Sequence, residues 1–368
     1  MSAPSEAPWR ERKVSVTALA RYPERIDVRS PSEFALDHLP GAANHPVLSD
    51  EERVRIGTLH ARESGFAAKR EGAAVVARNI ATMLETAFAA KPRDWAPLVY
   101  CWRGGKRSGA LTHILAEIGF RAVQLDGGYR SYRRHVVAQL DVLPSRFRFE
   151  VICGLTGSGK SRLLGALAAE GAQTLDLETL ARHRGSMLGD LPNDPQPSQK
   201  AFETGLHAAL ETFEETRPVY VEAESRRIGT VQLPDALLAA MRAAPSIRVE
   251  TPLAVRVALL KDEYAHFLDD HAALAARLAQ FVPLHGRKQI ERWSEAATAG
   301  DWDLLVGELL TMHYDPLYAR SIDRNFAGAR EAIVVSPQTA ERDAFRALAR
   351  DLQAEVRRRH ESAASIAD

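Results

Sequence analysis

Two consecutive α/β domains, each built on a parallel sheet, are predicted by three features of the chain. Short apolar runs alternate with helical stretches through the first 145 or so residues. The pattern restarts at Phe147, with Phe149-Glu150-Val151-Ile152 as a strand, a Gly-rich loop, and a helix from Ser161 to about Glu170. From about Ala254 onward the chain reads as mostly helical, alanine-rich and charged, with its last ten residues frayed. The expected boundaries are 1–145 and 146–368, with Leu143-Pro144-Ser145 as the linker. No internal repeat is found.

Within the first domain, Arg25-Ile26-Asp27-Val28 reads as one strand and Pro97-Leu98-Val99-Tyr100 as another. The second runs straight into Cys101, and Ser108 to Ile118 carries helical apolar spacing at Leu111, Ile114, Leu115 and Ile118. Cys101 therefore falls on a strand-to-helix turn. Ala122-Val123-Gln124-Leu125 followed by Asp126-Gly127-Gly128 is a further strand and turn. In the second domain, strands are expected at Thr174-Leu175, Val219-Tyr220-Val221 and Ile247-Arg248-Val249.

At 368 residues, 45% hydrophobic and 26% charged, the composition is that of a globular protein with room for two cores. Forty-eight basic and forty-eight acidic residues cancel, so any nucleic-acid contact must use a local patch. No apolar run reaches the roughly 18 residues of a membrane span, and Met1 to Pro8 lacks signal-peptide character, so a cytoplasmic location is expected. Two cysteines, Cys101 and Cys153, make neither a disulfide scaffold nor a zinc site. Cys153 ends an apolar run and reads as a buried strand residue.

The loop Cys101-Trp102-Arg103-Gly104-Gly105-Lys106-Arg107-Ser108 surrounds a thiol with glycines and cations. Inward-pointing amides and a helix N-terminus stabilise a thiolate there, Gly104 and Gly105 let the loop close, and Arg103, Lys106 and Arg107 neutralise an incoming anion. About fifty residues on, Gly154-Leu155-Thr156-Gly157-Ser158-Gly159-Lys160-Ser161 is a complete Walker A pattern. Gly154, Gly157 and Gly159 permit the turns that, with Thr156 and Ser158, aim amides at phosphate oxygens. Lys160 bridges those oxygens, and Ser161 can ligate magnesium. The motif specifies a di- or triphosphate, not a reaction. Glu222, after Val219-Tyr220-Val221, is the first candidate for a metal-supporting carboxylate, ahead of Glu224, Asp176 and Glu178.

The first domain resembles the rhodanese family. Asp27-Val28-Arg29-Ser30-Pro31-Ser32-Glu33-Phe34 with Asp37-His38-Leu39-Pro40-Gly41-Ala42-Ala43-Asn44 looks like its entry segment, and Leu125-Asp126-Gly127-Gly128-Tyr129 like its closing turn. One departure is that Arg107 lies six positions after Cys101, where sulfurtransferases have five. Related dual-specificity phosphatases share the longer loop, and a larger ring suits a tetrahedral oxyanion better than a bare sulfur. Phosphatase activity is thus a competing reading, weakened because no general acid is assignable.

A rhodanese-like domain fused to a P-loop NTPase-like domain with a helical C-terminal part resembles the tRNA 2-selenouridine synthase family over nearly the whole chain. Further matching stretches are Asp176-Leu177-Glu178 with His183-Arg184-Gly185-Ser186, Gln196-Pro197-Ser198-Gln199-Lys200-Ala201-Phe202-Glu203, Val221-Glu222-Ala223-Glu224-Ser225-Arg226-Arg227-Ile228-Gly229, and Tyr314-Asp315-Pro316-Leu317-Tyr318. The resemblance implies a tRNA carrying wobble 2-thiouridine as substrate. It implies geranylation of the sulfur from geranyl diphosphate, then replacement of the geranylthio group by selenium from selenophosphate. Mg2+ is the expected cofactor. Cys101 either carries selenium as a perselenide or sits in a loop that holds selenophosphate.

RNA contact is expected from arginine clusters: Arg130, Arg133 and Arg134 with Tyr132; Arg226 and Arg227; and Arg287, Lys288 and Arg292 with Trp293 as a stacking aromatic. Arg226, Arg227 and Arg287 are the residues chosen. An apolar groove for a ten-carbon tail should lie near Lys160, with no local signal for its lining. The rival readings are a P-loop small-molecule kinase carrying a rhodanese or phosphatase module, and a nucleotide-sensing switch.

Overall fold

The computed structural model describes residues 12–62, 64–186, 188–265, 270–316, 326 and 328–367. The chain forms two compact units, one of residues up to Gln139 together with Pro197–Ala208, the other of Leu140–Gln196 and Ala209 onward.

The first unit runs β1 (Lys13–Val14), β2 (Arg25–Asp27), α1 (Pro31–Leu36), β3 (Ala42–Asn44), α2 (Asp50–Arg62), α3 (Gly65–Glu85), β4 (Leu98–Tyr100), α4 (Lys106–Ile118), β5 (Val123–Leu125) and α5 (Gly128–Leu140). Its five strands are all parallel in the order β1-β5-β4-β2-β3. A parallel sheet is covered on both faces, which is why Leu98-Val99-Tyr100 is apolar without alternation and buried throughout. Ile26, Val99, Leu111 and Leu115 meet Ile80, Met83 and Trp95 in one core. With β4 central, Cys101 emerges at the carboxyl edge of the sheet, where open α/β folds bind ligands.

The second unit contains β6 (Phe149–Gly154), α6 (Lys160–Ala169), β7 (Gln173–Leu175) and α7 (Leu177–Ala181). The helix α8 (Gln199–Leu210) follows, most of it belonging to the first unit. Then come β8 (Val219–Glu222), β9 (Arg227–Ile228), β10 (Val231–Gln232), α9 (Asp235–Ala243), β11 (Pro245–Val249) and α10 (Leu253–Glu263). The chain continues through α11 (His271–Leu278), α12 (Arg287–Ala299), α13 (Trp302–Glu308), a π-helical turn Leu309–Tyr314, β12 (Gly328–Val335) and α14 (Arg342–Ala367). The sheet is again all parallel, ordered β12-β11-β6-β8-β7, with the Walker strand β6 in the middle. Phe345, Ala349, Leu352 and Val356 of α14 pack on Ile152, Leu163, Leu167 and Ile247. Each such large side chain contributes roughly 1.5–3 kcal/mol on burial. A separate core of Phe281, Trp293, Leu305 and Tyr314 holds the helical part.

Three expectations change. The C-terminal part is not only helical: β12 pairs with β11 at the sheet edge. The last residues up to Ala367 continue a helix instead of fraying. Leu143–Arg146 is a 3-10 turn with Leu143 and Pro144 buried. Met1 to Pro8, Leu317 and Tyr318 lie outside the described residues.

Candidate functional site

The cysteine loop bridges β4 and α4. Gly104 and Gly105 both take the left-handed conformation, φ 68° and 73°, and Gly105 is the N-cap of α4. Among the described residues, none of the backbone N–H groups from Trp102 to Ser108 is paired with an acceptor. Such a ring of unpartnered donors is an anion cradle. At its base lies Cys101, 1% exposed, whose Sγ accepts a hydrogen bond from Ser108 Oγ at 3.3 Å. Gln124 Nε2 donates to Ser108 Oγ and to the Gly105 carbonyl, each at 2.7 Å. The closing turn locks the loop from behind: Tyr129 N–H donates to the Cys101 carbonyl at 2.8 Å, Arg130 N–H to that of Trp102 at 3.0 Å. A Cβ at Gly128 would lie 2.3 Å from the Cys101 carbonyl oxygen, so only glycine fits there.

Arg107 forks onto Glu33, with its two Nη groups 2.8 and 3.3 Å from the carboxylate. Burial acts to raise the Glu33 carboxyl, but the hydrogen bonds and charge of Arg107, with Ser30 N–H and Arg53, overcome it and hold the group at about 2. Arg103 and Lys106 remain exposed. Sequence reasoning missed the contribution of α8. Thr204 Oγ1 and Tyr129 OH both donate to Asp37 Oδ2, at 3.1 and 2.6 Å, and Arg133 pairs with Glu203. This anchoring brings the Lys200 ammonium 5.7 Å from the ring centroid of Trp102, which stacks on Tyr129.

The Walker loop joins β6 to α6, with Gly159 as a left-handed N-cap at φ 86°. A Cβ there would lie 2.7 Å from the Phe345 ring. Lys160 Nζ donates to the Gly154 and Leu155 carbonyls at 3.2 and 3.3 Å, and Thr251 Oγ1 to that of Ser158 at 2.7 Å. Arg256, 4% exposed, braces the loop through the Thr156 carbonyl at 2.8 and 3.0 Å and grips Asp315 at 2.6 and 3.0 Å. Asp315 lies in one of the family-matching stretches, and its role is to tie the loop to the helical part. A cavity beside the loop is lined by Gly157, Lys160, Ser161, Glu178, Arg184 and Glu224, among others.

Glu178, Glu222 and Glu224 bring carboxylate oxygens within 4.8 Å of one another. Ser161 Oγ donates to Glu178 at 3.3 Å. Glu222 is fully buried, and neither of its oxygens has a hydrogen-bond partner among the described residues. Asp176 is committed elsewhere, capping α7 through Thr179 N–H at 2.8 Å. Gly185 of the His183–Ser186 stretch abuts this cluster, since its Cβ would sit 3.1 Å from Glu224. Burial first, then mutual repulsion, pushes all three carboxyls upward, with Lys160 opposing. The donor set, all hard oxygens with one buried carboxylate unpaired, fits Mg2+.

These shifts imply a pH dependence. Between the ordinary value of 4.5 and about 8, the folded protein holds protons that the unfolded chain has released. Stability is therefore fully present below pH 4.5 and is lost as pH rises through about 8. Magnesium substitutes for those protons, so its effect on Tm should be larger at the alkaline end. At 100 times Kd it stabilises by about 2.7 kcal/mol, or roughly 5–10 °C, in differential scanning calorimetry. A magnesium response that shrinks toward alkaline pH would remove this assignment.

The RNA-contact choices fare unevenly. Arg226 precedes the β9–β10 hairpin and Arg227 begins it; both are exposed, the first paired with Asp235 and the second donating to the Gly229 carbonyl at 2.8 Å. Arg287 begins α12 and is exposed. Trp293 cannot stack on a base: it is wholly buried and donates to Glu308 at 3.0 Å, while Arg292 pairs with the same carboxylate. Tyr132 is likewise buried. Cys153 is buried as expected, its thiol pushed up by burial to about 11. Among the described residues, no helix is long and apolar enough to cross a membrane.

Comparison with known proteins agrees with this geometry. Residues 18–135 match the rhodanese-like domain family, and residues 147–288 match the family described as the tRNA 2-selenouridine synthase AAA domain. A tRNA 2-selenouridine synthase of Nitrosomonas europaea is 37% identical over 262 residues, covering 70% of this chain and 67% of that protein. One of Alcanivorax borkumensis is 32% identical over 346 residues, covering 84% and 93%. One of Salmonella paratyphi A is 33% identical over 333 residues, covering 82% and 90%. With both loops built as described and the likeness spanning both units, the chain belongs to the tRNA 2-selenouridine synthase family.

Proposed function

We propose that this protein is a tRNA-modifying transferase acting on wobble uridines that carry a 2-thio group, geranylating the sulfur and then exchanging the geranylthio group for selenium. The observation that carries the first stage is an apolar pocket opening off the Walker cavity. Thr156, Ser186, Leu260 and Tyr264 line both, and Leu274, Leu305 and Leu309 continue the apolar wall. A prenyl diphosphate needs charged and greasy surface side by side, which this pair of cavities offers.

In the first stage the thiocarbonyl sulfur attacks C1 of geranyl diphosphate. The C1–O bond breaks with its electron pair leaving on diphosphate, and the ring N3 proton goes to solvent. Lys160 and the amides of the Walker loop hold the departing charge, except that of Ser158, whose N–H donates to the Leu155 carbonyl at 3.1 Å. A magnesium ion at Ser161, Glu178 and Glu222 would supply further charge neutralisation there. In the second stage a selenium nucleophile from selenophosphate, bound at the cysteine loop, adds at C2 and expels geranylthiolate. Alkylation makes that sulfur a better leaving group.

Each buried methylene contributes about 0.8 kcal/mol, so two already give about tenfold in affinity. Geranyl diphosphate should bind at least about tenfold tighter than inorganic diphosphate in calorimetry. Val306→Trp, which fills the apolar pocket, should erase most of that difference. Equal affinities in the wild type, together with ATP hydrolysis, would favour the kinase reading. Nucleoside mass spectrometry of 2-thiouridine tRNA with geranyl diphosphate, magnesium and then selenophosphate tests the sequence of stages.

A further inference from the structure

We propose that Cys101 attacks the phosphorus of selenophosphate, forming a phosphocysteine and releasing selenide. This deepens the reading above and rests on selenophosphate binding at the cysteine loop. Three observations carry it. The ring closes at Arg107, six residues after Cys101, a circumference suited to a tetrahedral phosphoryl group. The N–H groups from Trp102 to Ser108 have no acceptor among the described residues and so remain available to phosphoryl oxygens, while the thiol itself faces the Arg103 carbonyl at 3.7 Å. Ser108 Oγ–H points at Cys101 Sγ from 3.3 Å, stabilising the thiolate before attack and as it leaves.

The electron count points the same way. Sγ attacks phosphorus, an S–P bond forms, and the P–Se bond breaks with its pair on selenium, which takes a proton to become hydrogen selenide. Water then attacks phosphorus, the S–P bond breaks, and thiolate and inorganic phosphate are released; the water proton passes to solvent. Phosphorus and selenium keep their oxidation states throughout. A perselenide on Cys101 would join sulfur to selenium already at its lowest oxidation state, so two electrons must go to an oxidant or leave on phosphite. The loop has no assignable general acid, an obstacle for an alkoxide leaving group but not for this one. Hydrogen selenide is a far stronger acid than an alcohol, so selenide departs without a proton donor.

The test uses the full chain with selenophosphate and no RNA, quenched at neutral pH and read by intact-protein mass spectrometry, with phosphate, phosphite and selenide quantified in time. The expected result is a phosphoryl adduct at Cys101, a selenide burst of about one equivalent preceding phosphate, and neither in Cys101→Ala. Ser108→Ala should slow the burst roughly 10- to 100-fold without changing the products. If the adduct turns over too fast to accumulate, selenide and phosphate appear together, and the stereochemistry at an oxygen-isotope-labelled chiral phosphorus carries the test: two displacements retain configuration, one direct attack by water inverts it. A selenium adduct, phosphite as product, or inversion at phosphorus would each overturn the proposal. Failure of the transferase reading shows separately: geranylated RNA would then gain no selenium even though the burst occurs.

Discussion

Lys160→Ala is expected to return 2-thiouridine tRNA unchanged, with geranyl transfer reduced by roughly 10²–10³-fold, the usual cost of removing one donor from a developing oxyanion. The lysine spans the loop, with Nζ near the Gly154 and Leu155 carbonyls, and turns toward a ligand once phosphate oxygens compete for it. Its ammonium is also the cation that opposes the upward push on Glu178, Glu222 and Glu224. Removal therefore leaves one buried and two half-buried carboxyls facing one another with less compensation, and Tm in metal-free buffer should fall as well. Magnesium should recover part of the Tm but not the rate, because the metal screens the carboxylates without replacing a donor to diphosphate. Lys160→Arg keeps the charge in a planar fork that does not fit the same carbonyls, so partial activity is expected. Geranyl transfer by Lys160→Ala within threefold of wild type would show that the Walker loop binds something else.

Both anion loops were legible in the sequence because each is local: eight consecutive residues carry the turn, the donors and the cation. What sequence could not reveal is long-range. Glu33 meets Arg107 across 74 residues, and Gln124 reaches Ser108 across 16. Lys200 comes to Trp102 only because α8 leaves the Walker unit to pack in the first one. The apolar pocket draws its lining from α10, α11, α13 and the π-helical turn, which are far apart in sequence, and each lining residue looks like ordinary core in its own helix. The burial of Trp293 has a local cause. Ile290, Trp293, Ala296 and Ala297 form one apolar stripe at helical spacing, which is a core signature, and the neighbouring arginines lie on the other face of the same helix. The strand β12 was hidden because Ile333, Val334 and Val335 are a short β-branched run inside a helix-rich composition.

Glu222→Gln should separate stability from activity by moving them in opposite directions. The side chain is fully buried with both oxygens unpaired, and its charge is pushed against Glu178 and Glu224. Above pH about 8, where the carboxyl ionises, a glutamine of the same shape removes that repulsion and offers an N–H to either neighbour, worth about 1–2 kcal/mol in metal-free protein, or a Tm rise of several degrees. The loss of stability between pH 4.5 and about 8 should flatten, since fewer carboxyls titrate there. The magnesium-induced rise in Tm should shrink, because an amide oxygen is a weaker ligand than a carboxylate. Geranyl transfer should nevertheless fall roughly 100-fold, the order expected when charge neutralisation of a leaving diphosphate is weakened. Glu222→Gln that lowers Tm while preserving turnover would assign the residue to folding, and the metal-binding role would pass to Glu178 and Glu224.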